Sequence, residues 1–257
     1  MKKNMLYIKK YSGLIISIVI GLLLYEEANY AYTYRTATAY SDHMIYRLIL
    51  SMGSGSSGWN GILFPILAAL PMGISYVREY RSGYLKLRLQ KMSRKRYVAV
   101  TLIQNAILGG LGLLIPYAVY CLHLYFQYGT KAYLNIKEGE TVIMFYPKLA
   151  ASNTIAYVCL LGAFVLLAGV TFATFAIGIS AWIKNTFMTL ILPFVLCIAM
   201  AILMPDNRFD LLLIFAPNGY AGASVPIILI MSGILILTGI ILFAVGVKKS
   251  MRSFRFL

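Results

Sequence analysis

Acidic residues are scarce in this chain, whose 257 residues include eight Asp and Glu against 23 Lys and Arg. Histidine and cysteine are scarcer still, with two and three copies. His43 and His123 have no carboxylate neighbours at ligand spacing, so we predict no metal site. The cysteines form no CxxC pair and lie singly in or beside apolar runs, as small hydrophobic residues do. These absences exclude the common metal centres and disulfide scaffolds.

Nucleotide-binding and catalytic motifs are also missing. The chain has no GxxxxGK followed by Ser or Thr, the loop that cradles nucleotide phosphates. Gly53, Gly55 and Gly58 have GxGxxG spacing, but they follow no βαβ pattern and lead into an apolar run, which favours a flexible linker. No Ser, His and Asp set emerges. We therefore predict a chain that is not an enzyme and has no cofactor, with any ATP handled by another chain.

Apolar sequence, in contrast, is abundant: 60% of the residues are hydrophobic, 12% are charged and the mean hydropathy is +0.78. In soluble domains the apolar share is about half. A helix needs about 20 apolar residues to cross about 30 Å of hydrocarbon. We predict an all-α integral membrane protein, a single domain over residues 1–257, with six transmembrane helices. The spans cover residues 11–25 with a polar extension to 30, then 59–77, 98–120, 154–182, 186–204 and 225–247.

The basic residues divide unequally between the two sides of this arrangement. With both termini in the cytoplasm, 17 of the 23 cations lie inside, as the positive-inside rule requires, and Glu79 is the one inside acid. The net charge of +15 would suit nucleic acid, but the basic segments adjoin apolar spans, where anionic headgroups attract them. We therefore expect a multi-pass protein of the cell membrane, taken to be a bacterial plasma membrane, in contact with lipid and not with nucleic acid.

The loop at residues 76–97 sets eight cations and one acid between two predicted spans. Apolar residues such as Tyr84 and Leu85 interleave with the cations, which predicts a partly amphipathic cytoplasmic helix between the second and third spans. Such a helix could dock into a partner groove or lie on the membrane surface with no partner. Glu79 favours docking, because a lone acid among cations repels anionic lipid and suits a specific ion pair or helix cap.

Two further segments predict particular kinds of packing. Small residues recur on one face of the fourth span, where they allow a close helix contact within the bundle or between subunits; they are Gly169, Ala173, Ala176 and Ser180. The apolar run at residues 211–216 is bounded by Asp210 and Pro217 and is too short to cross a membrane. It predicts a short re-entrant or interfacial element between the fifth and sixth spans.

In this order, the features resemble the permease subunits of ABC-2 type ABC transporters. The loop after the second span is similar to the family's coupling segment, which has an acid, a glycine a few residues on, and a Ser-Arg pair before the third span. Those positions are Glu79, Gly83, Ser93 and Arg94. The segments AIGISAWIKN, with Ser180, Lys184 and Asn185, and FAPNGY, with Pro217 and Tyr220, are also similar to the family.

The resemblance implies a permease subunit of an ATP-binding cassette exporter that pairs with a second permease chain, identical or related. It also implies a cytosolic ATPase subunit docked on the loop, through Arg78, Glu79, Arg81, Gly83, Tyr84, Leu85, Ser93 and Arg94. We expect a hydrophobic or amphipathic peptide substrate, because outer segments rich in Tyr, Ser and Gly suit adaptable apolar contact. The alternative is a self-contained polytopic membrane protein, an assembly factor or intramembrane enzyme, without an ATPase partner.

Overall fold

The computed structural model describes residues 2–35, 44–52, 60–130, 145–204, 209–216 and 224–254. Within these residues the fold is helical throughout, which confirms the prediction of an all-α protein. The first five helices are α1 (Lys2–Arg35), α2 (Met44–Met52), α3 (Asn60–Ala69), α4 (Ser75–Arg81) and α5 (Tyr84–Lys91). The others are α6 (Arg94–Tyr128), α7 (Pro147–Ser152), α8 (Thr154–Ile183), α9 (Thr186–Leu203), a 3-10 helix (Leu211–Ile214) and α10 (Val225–Phe254). The Gly53 to Gly58 motif, Pro217 and Tyr220 lie outside the described residues.

Five of the described helices are long and apolar enough to cross a membrane: α1, α6, α8, α9 and α10. They coincide with the first, third, fourth, fifth and sixth predicted spans, as expected of a multi-pass membrane protein. The second predicted span is interrupted, because α3 has only ten residues and a turn at residues 70–74 separates it from α4. Pro71 lacks the N–H that would continue the helix, so the apolar run bends where the hydropathy alone predicts one rod.

The interruption in this segment is compensated by a serine on a neighbouring helix. Pro71 leaves the carbonyl of Leu67 without its helical donor, and Pro116 in α6 does the same to the carbonyl of Gly112. The fully buried Ser17 hydroxyl in α1 is placed to donate to both carbonyl oxygens, at 2.9 and 3.3 Å. One side chain therefore serves the gaps that two prolines open in two different helices.

α8 is the centre of the bundle, with half of its apolar window buried. It crosses α6 where Gly169 meets Gly109, and a Cβ on Gly169 would lie 2.6 Å from the Gly109 carbonyl oxygen. It meets α10 in the same way, since a Cβ on Gly178 would lie 2.5 Å from the carbonyl oxygen of Gly239. Glycine is required at these crossings because the opposing atoms are backbone, which cannot move aside as a side chain can.

The 3-10 helix lies inside the bundle and not on its surface. Asp210 caps it by accepting the N–H of Leu212 at 2.9 Å. Leu211 and Ile214 are buried, and Phe215 stacks on Phe64 of α3 with ring centres 4.4 Å apart. A short element is thus present at residues 211–216, and its position relative to a membrane stays a prediction.

Helix α2 lies in a segment that the hydropathy pattern assigns to none of the six predicted spans. Seven of its nine residues are buried. Among them is Arg47, which donates to Asn29 Oδ1 at 2.7 Å and lies over the Tyr128 ring at 4.7 Å from its centre. These contacts hold a cation among apolar neighbours, where it would otherwise be costly.

Candidate functional site

The basic loop folds into a compact structure at one end of the bundle. α4 and α5 are joined by a tight turn in which Gly83 has φ of 72°. This left-handed conformation is easy for glycine and strained for a residue with a side chain. The Gly83 N–H bonds to the Tyr80 carbonyl, and the Gly83 carbonyl accepts the N–H of Lys86 to begin α5. Gly83 therefore sets the angle between α4 and α5.

Glu79 connects three helices from the end of α4. Its Oε1 pairs with the guanidinium of Arg88 in α5 at 2.5 Å, and its Oε2 accepts the hydroxyl of Tyr97 in α6 at 2.9 Å. The Arg88 guanidinium also lies 5.0 Å from the centre of the Tyr97 ring. Only about a fifth of each charged side chain is exposed. Charge-assisted hydrogen bonds with this little water access are stronger than ordinary surface pairs, so the one acid in the loop acts as an internal tie.

Leu85 of α5 lies in a separate apolar cluster. Leu85 is fully buried, together with Tyr76 and Tyr97. The cluster also contains Ile177 and Ala181 of α8 and Phe243 and Val247 of α10. The Tyr76 hydroxyl donates to Ser250 Oγ at 2.9 Å. Through this shared cluster, α5 is connected to α8 and α10 as well as to its sequence neighbours.

The turn between α8 and α9 completes the structure. Lys184 has φ of 51°, and its ammonium lies 3.9 Å from the centre of the Tyr80 ring. Arg81 donates to the Lys184 carbonyl at 3.0 Å, which joins α4 to the end of α8. Asn185 caps α9 by accepting the N–H of Phe187 at 3.0 Å.

The outward face of α5 combines apolar and basic side chains. Tyr84 is 52% exposed and Leu87 is 54% exposed. Lys86 and Lys91 are exposed beside them. Most other exposed apolar residues belong to the five long helices, where lipid would cover them, but α5 lies outside those helices. A partly apolar, partly basic surface of this kind is suited to a protein partner.

The eight residues predicted for coupling divide into three groups. Glu79, Arg81, Gly83 and Leu85 make the contacts described above, and Tyr84 and Arg78 face outward. Ser93 caps α6, with its hydroxyl 3.4 Å from the N–H of Arg96, and the neighbouring Arg94 is partly buried. Sequence reasoning missed Arg88 and Tyr97, the two partners of Glu79. They lie nine and 18 residues further along the chain, on other helices, so no local spacing identifies them.

The small residues predicted on one face of α8 are all buried. Gly169 and Ala173 lie against Gly109 of α6, and Ala176 lies close to Gly73. The Ser180 hydroxyl donates to the Ile177 carbonyl of its own helix at 2.6 Å. The neighbours of the first three residues thus belong to other segments of the same chain.

In the described residues, no three His, Cys, Asp or Glu side chains come together to hold a metal ion. Comparison with known proteins gives no match to a family model, to a curated protein or to a solved structure. Function therefore has to be argued from the site itself.

Proposed function

We propose that this chain is the permease subunit of an ATP-driven exporter, and that α5 is the surface on which a cytosolic ATPase subunit docks. The observation that carries the proposal is the attachment of α5. The Glu79 pair ties it to α4 and α6, and Leu85 belongs to the buried apolar cluster that also contains residues of α8 and α10. A partner that displaces α5 would therefore displace several long helices together.

The exposed face of α5 supplies the side chains that a docked ATPase subunit would contact. Tyr84 and Leu87 project from a helix whose other apolar side chains, Leu85 and Leu89, are buried and partly buried. Aromatic residues surrounded by polar ones are frequent anchors of protein interfaces. The neighbouring cations suit an acidic rim on the partner and speed its approach.

The remaining parts of the proposal follow from this role. α3 and α4 together form a sixth crossing, bent at Pro71, which puts both termini and α5 in the cytoplasm of a bacterial cell. A second copy or related chain completes the substrate path. The cargo is a hydrophobic or amphipathic peptide, a choice supported by the outer segments rich in Tyr, Ser and Gly.

The test is recovery of an ATPase with the full-length chain. The chain is purified from its native membranes in mild detergent, and the bound ATPase activity is measured. A P-loop protein should accompany the wild-type chain. The double variant Tyr84→Ala and Leu87→Ala should recover at least about tenfold less activity, since an anchor residue contributes about 2 kcal/mol or more.

The matched control removes two exposed apolar side chains from the other end of the molecule. Leu122 and Phe126 in α6 are 56% and 83% exposed. Changing both to Ala should leave the recovered ATPase activity unchanged. If the wild-type chain brings down no ATPase, or if it transports cargo in vesicles without one, the chain is a self-contained membrane protein and the proposal is wrong.

A further inference from the structure

A cavity of about 160 Å³ opens between the ends of α8 and α10, apart from the exposed face of α5. Its lining residues are Ala181, Trp182, Lys184, Gly246, Lys249 and Ser250. Two of the six are lysines, and the other four are uncharged. This combination of room and positive charge suits a compact anion.

The lysines have aromatic neighbours and no acidic ones. The Lys184 ammonium lies 3.9 Å from the centre of the Tyr80 ring, and the Lys249 ammonium lies 5.1 Å from the centre of the Trp182 ring. Among the described side chains, no carboxylate lies within ion-pair distance of either lysine. Arg81 adds a third cation nearby, through its bond to the Lys184 carbonyl. The positive potential is therefore not neutralised from within this part of the protein.

The cavity lies where two long apolar helices end. Lys184 directly follows the apolar stretch Thr154–Ile183, and Lys249 lies near the end of Val225–Met251. Trp182 is 44% exposed and donates its indole N–H to the Leu242 carbonyl at 2.9 Å. Tryptophan is enriched at the level of lipid headgroups, where its ring is apolar and its N–H polar. This places the two lysines at headgroup depth.

Apolar surface continues from the cavity along α10, and Ile183 at the end of α8 adds one exposed apolar side chain. Ile183 of α8 and Ile241 and Val245 of α10 are between 44% and 60% exposed. A ligand with a charged head and apolar tails would use the cavity and this surface together, whereas a free anion would use only the cavity. Basic pockets between membrane helices commonly hold lipid headgroups of this kind.

We propose that the cavity binds the phosphate headgroup of an anionic phospholipid, with Lys184 and Lys249 as its cationic contacts. The acyl chains lie along the exposed apolar side chains of α10. The site does not depend on an ATPase partner and is occupied whether or not the chain works in an exporter. The lipid would hold together the ends of two helices that share an apolar cluster with α5.

Native mass spectrometry of the full-length chain tests the site. The protein is purified in mild detergent, and its retained lipids are counted after incubation with phosphatidylglycerol or phosphatidylcholine. The double variant Lys184→Asn and Lys249→Gln removes both charges, and Asn suits the left-handed backbone at position 184. The wild-type chain should retain phosphatidylglycerol in preference, and the variant should retain about tenfold less of it.

Two further variants separate a specific site from general attraction. Lys86→Gln with Lys95→Gln removes the same charge from exposed positions outside the cavity and should leave retention unchanged. Lys184→Arg with Lys249→Arg keeps the charge and should restore retention, with equal size-exclusion profiles showing that all variants are folded. Equal loss in the two charge-removing pairs would overturn the proposal. Equal retention of both lipids, with binding of inorganic phosphate alone, would assign the cavity to a free anion and overturn it also.

Discussion

At the scale of single residues, Ser17 has the most concentrated structural role in the described part of the chain. A hydroxyl has one hydrogen, so it serves the Leu67 and Gly112 carbonyls by sharing that hydrogen or by alternating between them. Inside a membrane no water replaces the missing donor. The serine thus makes two proline bends tolerable.

We therefore expect Ser17→Ala to destabilise the protein by about 1 to 3 kcal/mol, because it leaves two buried carbonyl oxygens without their donor. Unfolding by SDS in mixed micelles, followed by circular dichroism, measures the change. Ser232→Ala is the control, since Ser232 is equally buried but donates to Ile228 of its own helix, which keeps its backbone partner. The loss of stability should be clearly larger for Ser17→Ala than for Ser232→Ala. Equal losses would show that the carbonyls left without a helical donor by the two prolines do not depend on Ser17.

At the scale of elements, α5 is held by one acid. Glu79 belongs to α4 but contacts α5 and α6, so its removal should loosen α5 while Leu85 stays in the apolar cluster. A loosened helix opens more often to solvent than a packed one. The tie and the apolar anchor can thus be tested independently of any partner.

Limited proteolysis of Glu79→Gln provides this test. The variant loses charge-assisted hydrogen bonds that contribute about 1.5 to 3 kcal/mol, so trypsin should cut at Lys86, Arg88 and Lys91 about tenfold faster or more. Glu27→Gln is the control. It removes an exposed acid from the C-terminal part of α1 and should leave those cleavage rates unchanged. Unchanged cleavage in Glu79→Gln would mean that Leu85 alone holds the helix.

Helices can be predicted from the sequence where one property, such as hydropathy or the charge pattern, determines them. Hydropathy locates the five long helices, and the cations interleaved with Leu85 and Tyr84 predict α5 as a separate helix. Sequence reasoning fails where contacts between distant segments of the chain determine the structure. The bend at Pro71 is tolerated because Ser17 donates to the Leu67 carbonyl. The burial of α2 depends on the contacts of Arg47 with Asn29 and Tyr128. The partners of Glu79 come from other helices for the same reason, so only the assembled bundle reveals them.

At the scale of the whole molecule, the directions of neighbouring helices constrain how the chain crosses a membrane. α1 and α6 run parallel, because Ser17 bonds to Gly112, Gly21 lies against Pro116 and Tyr25 stacks on Tyr120 at 4.8 Å. Two parallel helices that both cross must start from the same side. The chain between them therefore has to return across the membrane, and α3 with α4 is the segment available in the described residues.

This reasoning predicts the sides on which three exposed positions lie. In a chain whose native cysteines are replaced, Glu27→Cys and Lys148→Cys should react with a membrane-impermeant maleimide on intact cells, and Lys95→Cys only after permeabilisation. Glu27 and Lys95 flank the segment that holds α2 to α5, so they lie on opposite sides only if that segment crosses. The basic end, with Lys95, should be the cytoplasmic one. Labelling of Lys95→Cys on intact cells together with Glu27→Cys would mean that α1 and α6 do not both cross, and α5 would then be out of reach of a cytosolic ATPase.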